Sequence, residues 1–222
     1  MVMGFTSSGQ PMTADDLQVA GAMAALLRDA LQPNLAQTGE GTPALVHAGP
    51  FGNIALGNSS IIADRLGLHL ADVVITEAGF GTDLGAEKFF NVKCRTSGLR
   101  PDAAVIVATV RALKAHSGRF SVAPGRPLDP GLLVEDLDAL DGGMPNLLKH
   151  IENVRRHGVP AVVAINAFPS DTPREHARIV EAACQAGAAG VAVCDVFARG
   201  SEGGEDLARA VLRAAADGAA FR

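Results

Sequence analysis

The sequence predicts an α/β fold, a mainly parallel sheet with helices on both faces. Five short apolar runs, most of them rich in Val and Ile, fall at 44–48, 72–76, 103–109, 161–165 and Gly190–Cys194. None alternates cleanly with polar residues, which is how strands buried on both faces read. Helical patterns lie between most of the runs, and strands alternating with helices imply right-handed crossovers in a parallel sheet. The 222 residues suit a single α/β domain over 1–222, with a helical segment at 1–43 and the sheet with its helices over 44–222.

Taken in order, the first helix is expected over 13–31. Thr13 is placed to cap it, Asp15 and Asp16 suit the positive end of its dipole, and Pro33 stops it. A loop with Gly39 and Gly41 follows at 34–43. Further helices are expected at 59–70, at 146–157 with Gly158 just past the end, at 172–185 with Pro173 in the first turn and Gly187 after it, and at Glu205–Ala216. The stretch 118–143, rich in Pro and Gly, reads as an ordered excursion that could serve as a hinge or lid.

Composition narrows the function. The formal charge is −5 and the basic residues are scattered, which argues against a nucleic-acid partner that needs a broad basic surface. Lysines are few (Lys88, Lys93, Lys114 and Lys149), so an anion site has little lysine to draw on. Three cysteines, Cys94, Cys184 and Cys194, form neither a C-x-x-C pair nor a disulfide framework, and a reducing cytoplasm is the natural compartment. No apolar stretch reaches the length of a membrane span, and no secretory signal pattern opens the sequence, so no membrane partner is expected. Aromatics make up only 4%, with no Trp or Tyr, so a Phe outside a periodic apolar pattern is informative.

Open parallel sheets bind ligands beyond the carboxyl ends of their strands. Glu77-Ala78-Gly79-Phe80-Gly81-Thr82-Asp83 follows the second run, Thr109-Val110-Arg111 the third, Asn166-Ala167-Phe168-Pro169-Ser170-Asp171 the fourth, and Asp195 with Phe197 the fifth. Polar groups, Gly and Phe thus recur along one edge, and a ligand cleft there is expected. The run ending at Glu77 looks like a Walker-B strand that delivers a carboxylate to Mg²⁺; alternatively Glu77 caps a turn or pairs with Lys88. Phe80 lies between two glycines, which permit close approach of a ligand, or else it folds back onto the sheet edge. Asn166 occupies the place from which a strand-end Asn reads a nucleotide base. Asp171 reads best as a cap for the next helix. The loop at 198–204 offers backbone N–H groups to an anion, or is simply a flexible turn. No G-x-x-x-x-G-K-[ST] signature occurs, so the architecture is P-loop NTPase-like but lacks its P-loop.

Three blocks carry a resemblance. The first is Val46-His47-Ala48-Gly49-Pro50-Phe51-Gly52-Asn53-Ile54-Ala55 with Gly57-Asn58-Ser59-Ser60. The second is Thr76-Glu77-Ala78-Gly79-Phe80-Gly81-Thr82-Asp83-Leu84-Gly85-Ala86-Glu87-Lys88-Phe89-Phe90-Asn91-Val92-Lys93-Cys94-Arg95, and the third Val107-Ala108-Thr109-Val110-Arg111-Ala112-Leu113-Lys114. Together they resemble the central portion of formate–tetrahydrofolate ligase, over roughly 6–185 and more weakly to the end. The resemblance implies substrates MgATP, formate and tetrahydrofolate, a formyl phosphate intermediate, 10-formyltetrahydrofolate as product, and a monovalent cation. It implies that Phe80, Phe168 and Phe197 form an aromatic wall for substrate and folate rings, with Glu77 and Asn166 on the nucleotide and Mg²⁺ side. The family usually has Trp where Phe197 stands, His where Leu56 stands and Ala where Gly52 stands. It also implies further domains on either side, hence apolar surface left exposed and a homo-oligomer or missing partners. A non-catalytic folate- or nucleotide-binding fragment is the alternative reading.

Overall fold

The structure is a computed structural model and describes residues 1–47 and 58–221. It divides into two compact units, Met1–Phe80 and Gly81–Arg222.

In the first unit, β1 (Val2–Phe5) and β2 (Pro11–Thr13) pair antiparallel. This pairing corrects the expected helix over 13–31. Thr13 and Asp16 do exchange capping bonds, since the Thr13 N–H and hydroxyl both donate to Asp16 Oδ2 at 2.8 Å. Those bonds, the backbone one foremost, hold the Asp16 carboxyl below its ordinary pKa. But Thr13 is the last residue of a strand and Gln18 takes a positive φ of 57°, so α1 (Ala20–Leu27) starts only after that break. A 3-10 turn, Asp29–Leu31, completes the segment.

The expected loop at 34–43 is instead half of a hairpin. Strand β3 (Asn34–Gln37) pairs antiparallel with β4 (Pro43–Val46) around a turn in which Gly41 adopts φ 87°. The first apolar run therefore forms a strand, but not a parallel one. Helix α2 (Ile61–Leu70) comes next, capped by Ser60, whose Oγ accepts from Ala63 N at 3.0 Å.

The run at 72–76 forms no strand, which is a second correction. It pairs with no ladder among the described residues. Val74 packs on α2, where a Cβ on Gly67 would lie 3.2 Å from it, while Val73 and Ile75 on the other side face solvent. A run apolar on both faces needs cover on both faces to pair as an inner strand. The first unit covers one.

The second unit carries the parallel sheet. It opens with one helical stretch made of α3 (Gly85–Lys88), a π turn (Phe89–Cys94) and α4 (Arg95–Ser97). Then come β5 (Ala104–Ala108), α5 (Val110–His116), a 3-10 turn (Pro130–Leu133) and α6 (Leu137–Arg156). They are followed by β6 (Ala161–Asn166), α7 (Pro173–Gln185), β7 (Gly190–Cys194), α8 (Val196–Arg199), a 3-10 turn (Gly200–Gly204) and α9 (Glu205–Ala216).

The strand order is β5-β6-β7, parallel throughout, with Ala108 opposite Ile165 and Asn166 opposite Cys194. Ile106, Val163 and Ile165 pack on one face against Leu147, Ile151 and Val154 of α6 and Ile179 of α7. Val162 packs on the other against Ala210 and Ala214 of α9. Helices on both faces of a parallel sheet are thus as the sequence predicts.

Helix α6 departs from expectation at its start and keeps to it at its end. It begins at Leu137, well before the expected 146, and runs through Pro145. Gly143 explains the tolerance: it lies so close to α5 that a Cβ there would collide with the Leu113 carbonyl, and the close packing this allows offsets the hydrogen bond Pro145 removes. Only the last part of 118–143 is accordingly regular structure, the 3-10 turn and the first turns of α6. At its far end α6 stops as predicted, with Gly158 at φ 74° and its carbonyl accepting from Ala220 N at 2.9 Å.

Candidate functional site

The carboxyl ends of β5, β6 and β7 lie side by side because the three strands are parallel and in register. Thr109, directly after β5, caps α5 by accepting from Ala112 N at 3.0 Å, and this starts the helix so that Arg111 falls in its first turn. Asn166 ends β6, and Ala167 N donates to the Cys194 carbonyl at 3.0 Å, tying the loop after β6 to the end of β7. Asp195 N donates to the Gly203 carbonyl at 3.0 Å, which folds the 3-10 turn back onto the end of β7.

Phe168 is fixed from two sides. Its N–H donates to Asp171 Oδ2 at 3.0 Å, and the same oxygen lies 3.3 Å from His176 Nε2 on α7. Asp171 therefore holds the loop, while Thr172 caps α7 in a full capping box with Glu175. The expectation that Asp171 is the cap is corrected by one residue. The other Asp171 oxygen is buried and takes no hydrogen bond among the described residues. Across the ring, the Arg111 guanidinium carbon sits 3.6 Å from the Phe168 centroid, a close cation–π stack. Arg111 makes no ion pair among the described residues.

Phe197 stands in the first turn of α8 and is 98% exposed. Asn166 and Phe168 are both partly buried. The edge of this unit thus gathers Arg111, Asn166, Phe168 and Phe197. Glu77 and Phe80 belong to the first unit, and both are exposed. Phe80 adopts φ 64°, a left-handed conformation that costs energy in a residue with a Cβ and clusters at functional sites. Glu77 does not end a strand, and no group of three His, Cys, Asp or Glu side chains among the described residues is disposed to hold a metal ion.

Also in the first unit, His47 is buried between the end of α1's segment and α2. Its Nε2 lies 2.9 Å from the Ala30 carbonyl, which can only accept, so Nε2 carries the proton. Nδ1 then accepts from the Ser60 hydroxyl at 2.6 Å. The rest of that block, including Gly52 and Leu56, lies outside the described residues.

Beneath the edge of the second unit, Lys114 of α5 and Glu175 of α7 form a wholly buried ion pair. Lys114 Nζ also donates to the Val134 carbonyl at 2.7 Å, and Glu175 accepts from Thr172 N at 3.0 Å and Asp136 N at 3.3 Å. Burial pushes the Glu175 carboxyl up, but the Lys114 ammonium and the two backbone N–H groups outweigh it and hold it below the ordinary value. The turn leading to α3 is fastened likewise: Asn153 Nδ2 donates to Thr82 Oγ1 at 3.1 Å, and Thr82 Oγ1 lies 2.6 Å from His150 Nδ1. Sequence reasoning placed Arg111 after β5 without a role and missed these two fastenings, because their partners lie far apart in the chain.

A sequence model of the formate–tetrahydrofolate ligase family matches residues 1–222. The chain is 60% identical over 211 residues to formate–tetrahydrofolate ligase 3 of Rubrobacter xylanophilus, covering 95% of this chain and 37% of that protein. It is 57% identical over all 222 residues to formate–tetrahydrofolate ligase of Saccharopolyspora erythraea, covering 39% of it. With the Chloroflexus aurantiacus ligase the identity is 58% over 215 residues, 97% of this chain and 38% of the relative. The chain thus spans less than two fifths of the length of these curated relatives.

Proposed function

We propose a function from one premise: the chain belongs to the formate–tetrahydrofolate ligase family. The chain contributes part of the active site that joins formate to tetrahydrofolate at the expense of MgATP. Formate is a poor electrophile, and phosphorylation gives it a leaving group; the N10 amine of tetrahydrofolate then attacks formyl phosphate to give 10-formyltetrahydrofolate. In this reading Phe168 and Phe197 take the folate ring at the edge of the second unit, and Phe80 of the first unit is by itself an aromatic contact for substrate. Asn166 lies on the nucleotide side, and Glu77 is linked to the Mg²⁺ that accompanies ATP.

One observation supports the reading more than the others. Phe168 is held rigidly by Asp171 and Arg111 at the end of the central strand, with Phe197 standing open at the end of the next. An aromatic wall that is fixed on one side and open on the other is what a planar substrate needs. A second reading for the chain is a binding module without turnover. Incubating the purified chain with formate, MgATP and tetrahydrofolate, and separating products by chromatography, decides between them. The expected outcome is tetrahydrofolate binding without 10-formyltetrahydrofolate. Product above background assigns the whole reaction to this chain, and absence of both product and binding overturns either reading.

A further inference from the structure

We propose that Arg111 is an anion-binding residue of this site, its guanidinium edge taking a carboxylate or phosphate of the ligand whose ring packs beside Phe168. The assignment rests on the reading of Phe168 as a ring-binding residue. The Arg111 side chain is partly buried, yet among the described residues no carboxylate pairs with it. Among the described residues Arg119, Arg156, Arg174, Arg178 and Arg209 of the second unit pair with carboxylates, each as a surface arginine with an acidic partner at hand.

The stack on Phe168 sets which part of the guanidinium stays open. A guanidinium whose face lies 3.6 Å from a ring centroid has that face occupied, while its N–H donors lie in its own plane and project past the ring. Stacking also fixes the fork in place, so little side-chain freedom is lost when it binds. The same contact covers one face of Phe168 and leaves a ligand ring the other face or the edge. Arg111 also stands in the right place. It lies one turn past the end of β5, level with Asn166 and Phe168 at the end of β6, at the carboxyl edge where parallel sheets place ligands. In a chain with four lysines, of which Lys114 is committed to Glu175, a fixed arginine is a cation this edge offers.

Tetrahydrofolate, ATP and inorganic phosphate are the three probes, each titrated by calorimetry into the wild-type chain and the Arg111→Ala, Arg111→Lys and Phe168→Ala variants. Losing a charge-assisted hydrogen-bonding pair weakens binding about tenfold or more. The expected result is that loss for at least one probe with Arg111→Ala, and only partial recovery with Arg111→Lys, which keeps the charge but not the fork. Loss confined to tetrahydrofolate identifies its carboxylate as the anion; loss confined to ATP and phosphate identifies a phosphate. If Arg111→Ala leaves all three unchanged while Phe168→Ala weakens tetrahydrofolate, the Arg111 assignment fails and the ring site stands. If Phe168→Ala also leaves tetrahydrofolate unchanged, the ring site fails with it. Should wild type bind none of the probes at millimolar concentration, the anion site is overturned.

Discussion

Phe197 stands almost wholly in solvent at the end of β7, and that exposure separates its part in stability from its part in binding. Removing its ring takes nothing from the core, so Phe197→Ala is expected to leave the unfolding free energy within about 0.5 kcal/mol of wild type. On the proposed reading the same change also removes a stacking partner worth about 0.5–1.5 kcal/mol, up to about a tenfold weaker tetrahydrofolate affinity. Phe197→Trp is expected to tighten binding through its larger face. Urea titration and calorimetry on the three proteins check both halves; equal affinity across them removes Phe197 from the site. At this scale the sequence was legible where a residue comes directly after a strand end. Asn166, Phe168 and Phe197 sit at the edge because the parallel register carries them there. Arg111 against Phe168 was not legible, because that contact depends on how α5 and the loop after β6 meet.

Among the elements, where a helix stops was more legible than where it starts. Gly158 follows α6 in a left-handed conformation, from short-range chemistry readable in sequence, whereas α7 is capped by Thr172 with Glu175 and not by the expected Asp171. The start of α6 was hidden because Pro145 reads as a helix beginning, whereas tight packing of Gly143 on α5 carries the helix through it. The apolar run ending at Glu77 was misread because its pattern says nothing about whether neighbouring strands are available. The element contact with the sharpest consequence is the Lys114–Glu175 pair, which joins α5, α7 and the segment before α6. Because the folded-state pKa of Glu175 is depressed, the pair contributes stability fully above the unfolded carboxylate value of about 4.3, and loses it as pH falls through the folded value. Glu175→Gln removes the charge and strands the ammonium, at a cost of about 3–5 kcal/mol near neutral pH. Urea midpoints measured between pH 3 and 7 should converge for wild type and Glu175→Gln only at the acid end. Parallel curves at every pH would show that the pair adds no charge-dependent stability.

For the whole molecule, the arrangement of apolar surface makes a prediction that no single residue does. In the second unit α9 covers β6 and β7, so β5 keeps Val105 at 43% and Val107 at 68% exposure on that face. No strand pairs with the far side of β5 among the described residues, so backbone donors and acceptors stand open beside those valines. An open, apolar edge strand is a template for pairing with another chain. In the first unit Val73 and Ile75 are exposed along a run whose composition suits an inner strand. Both units thus present strand-like apolar surface. Self-association through β5 is the expected outcome: light scattering should report a mass that rises with protein concentration. Val107→Lys, which places a charge on the open edge without touching the core, should lower that mass toward the monomer and leave the melting temperature within a few degrees. A wild-type chain that stays monomeric across the concentration series would mean that this edge is covered, and an assembly unchanged by Val107→Lys would move the contact away from β5.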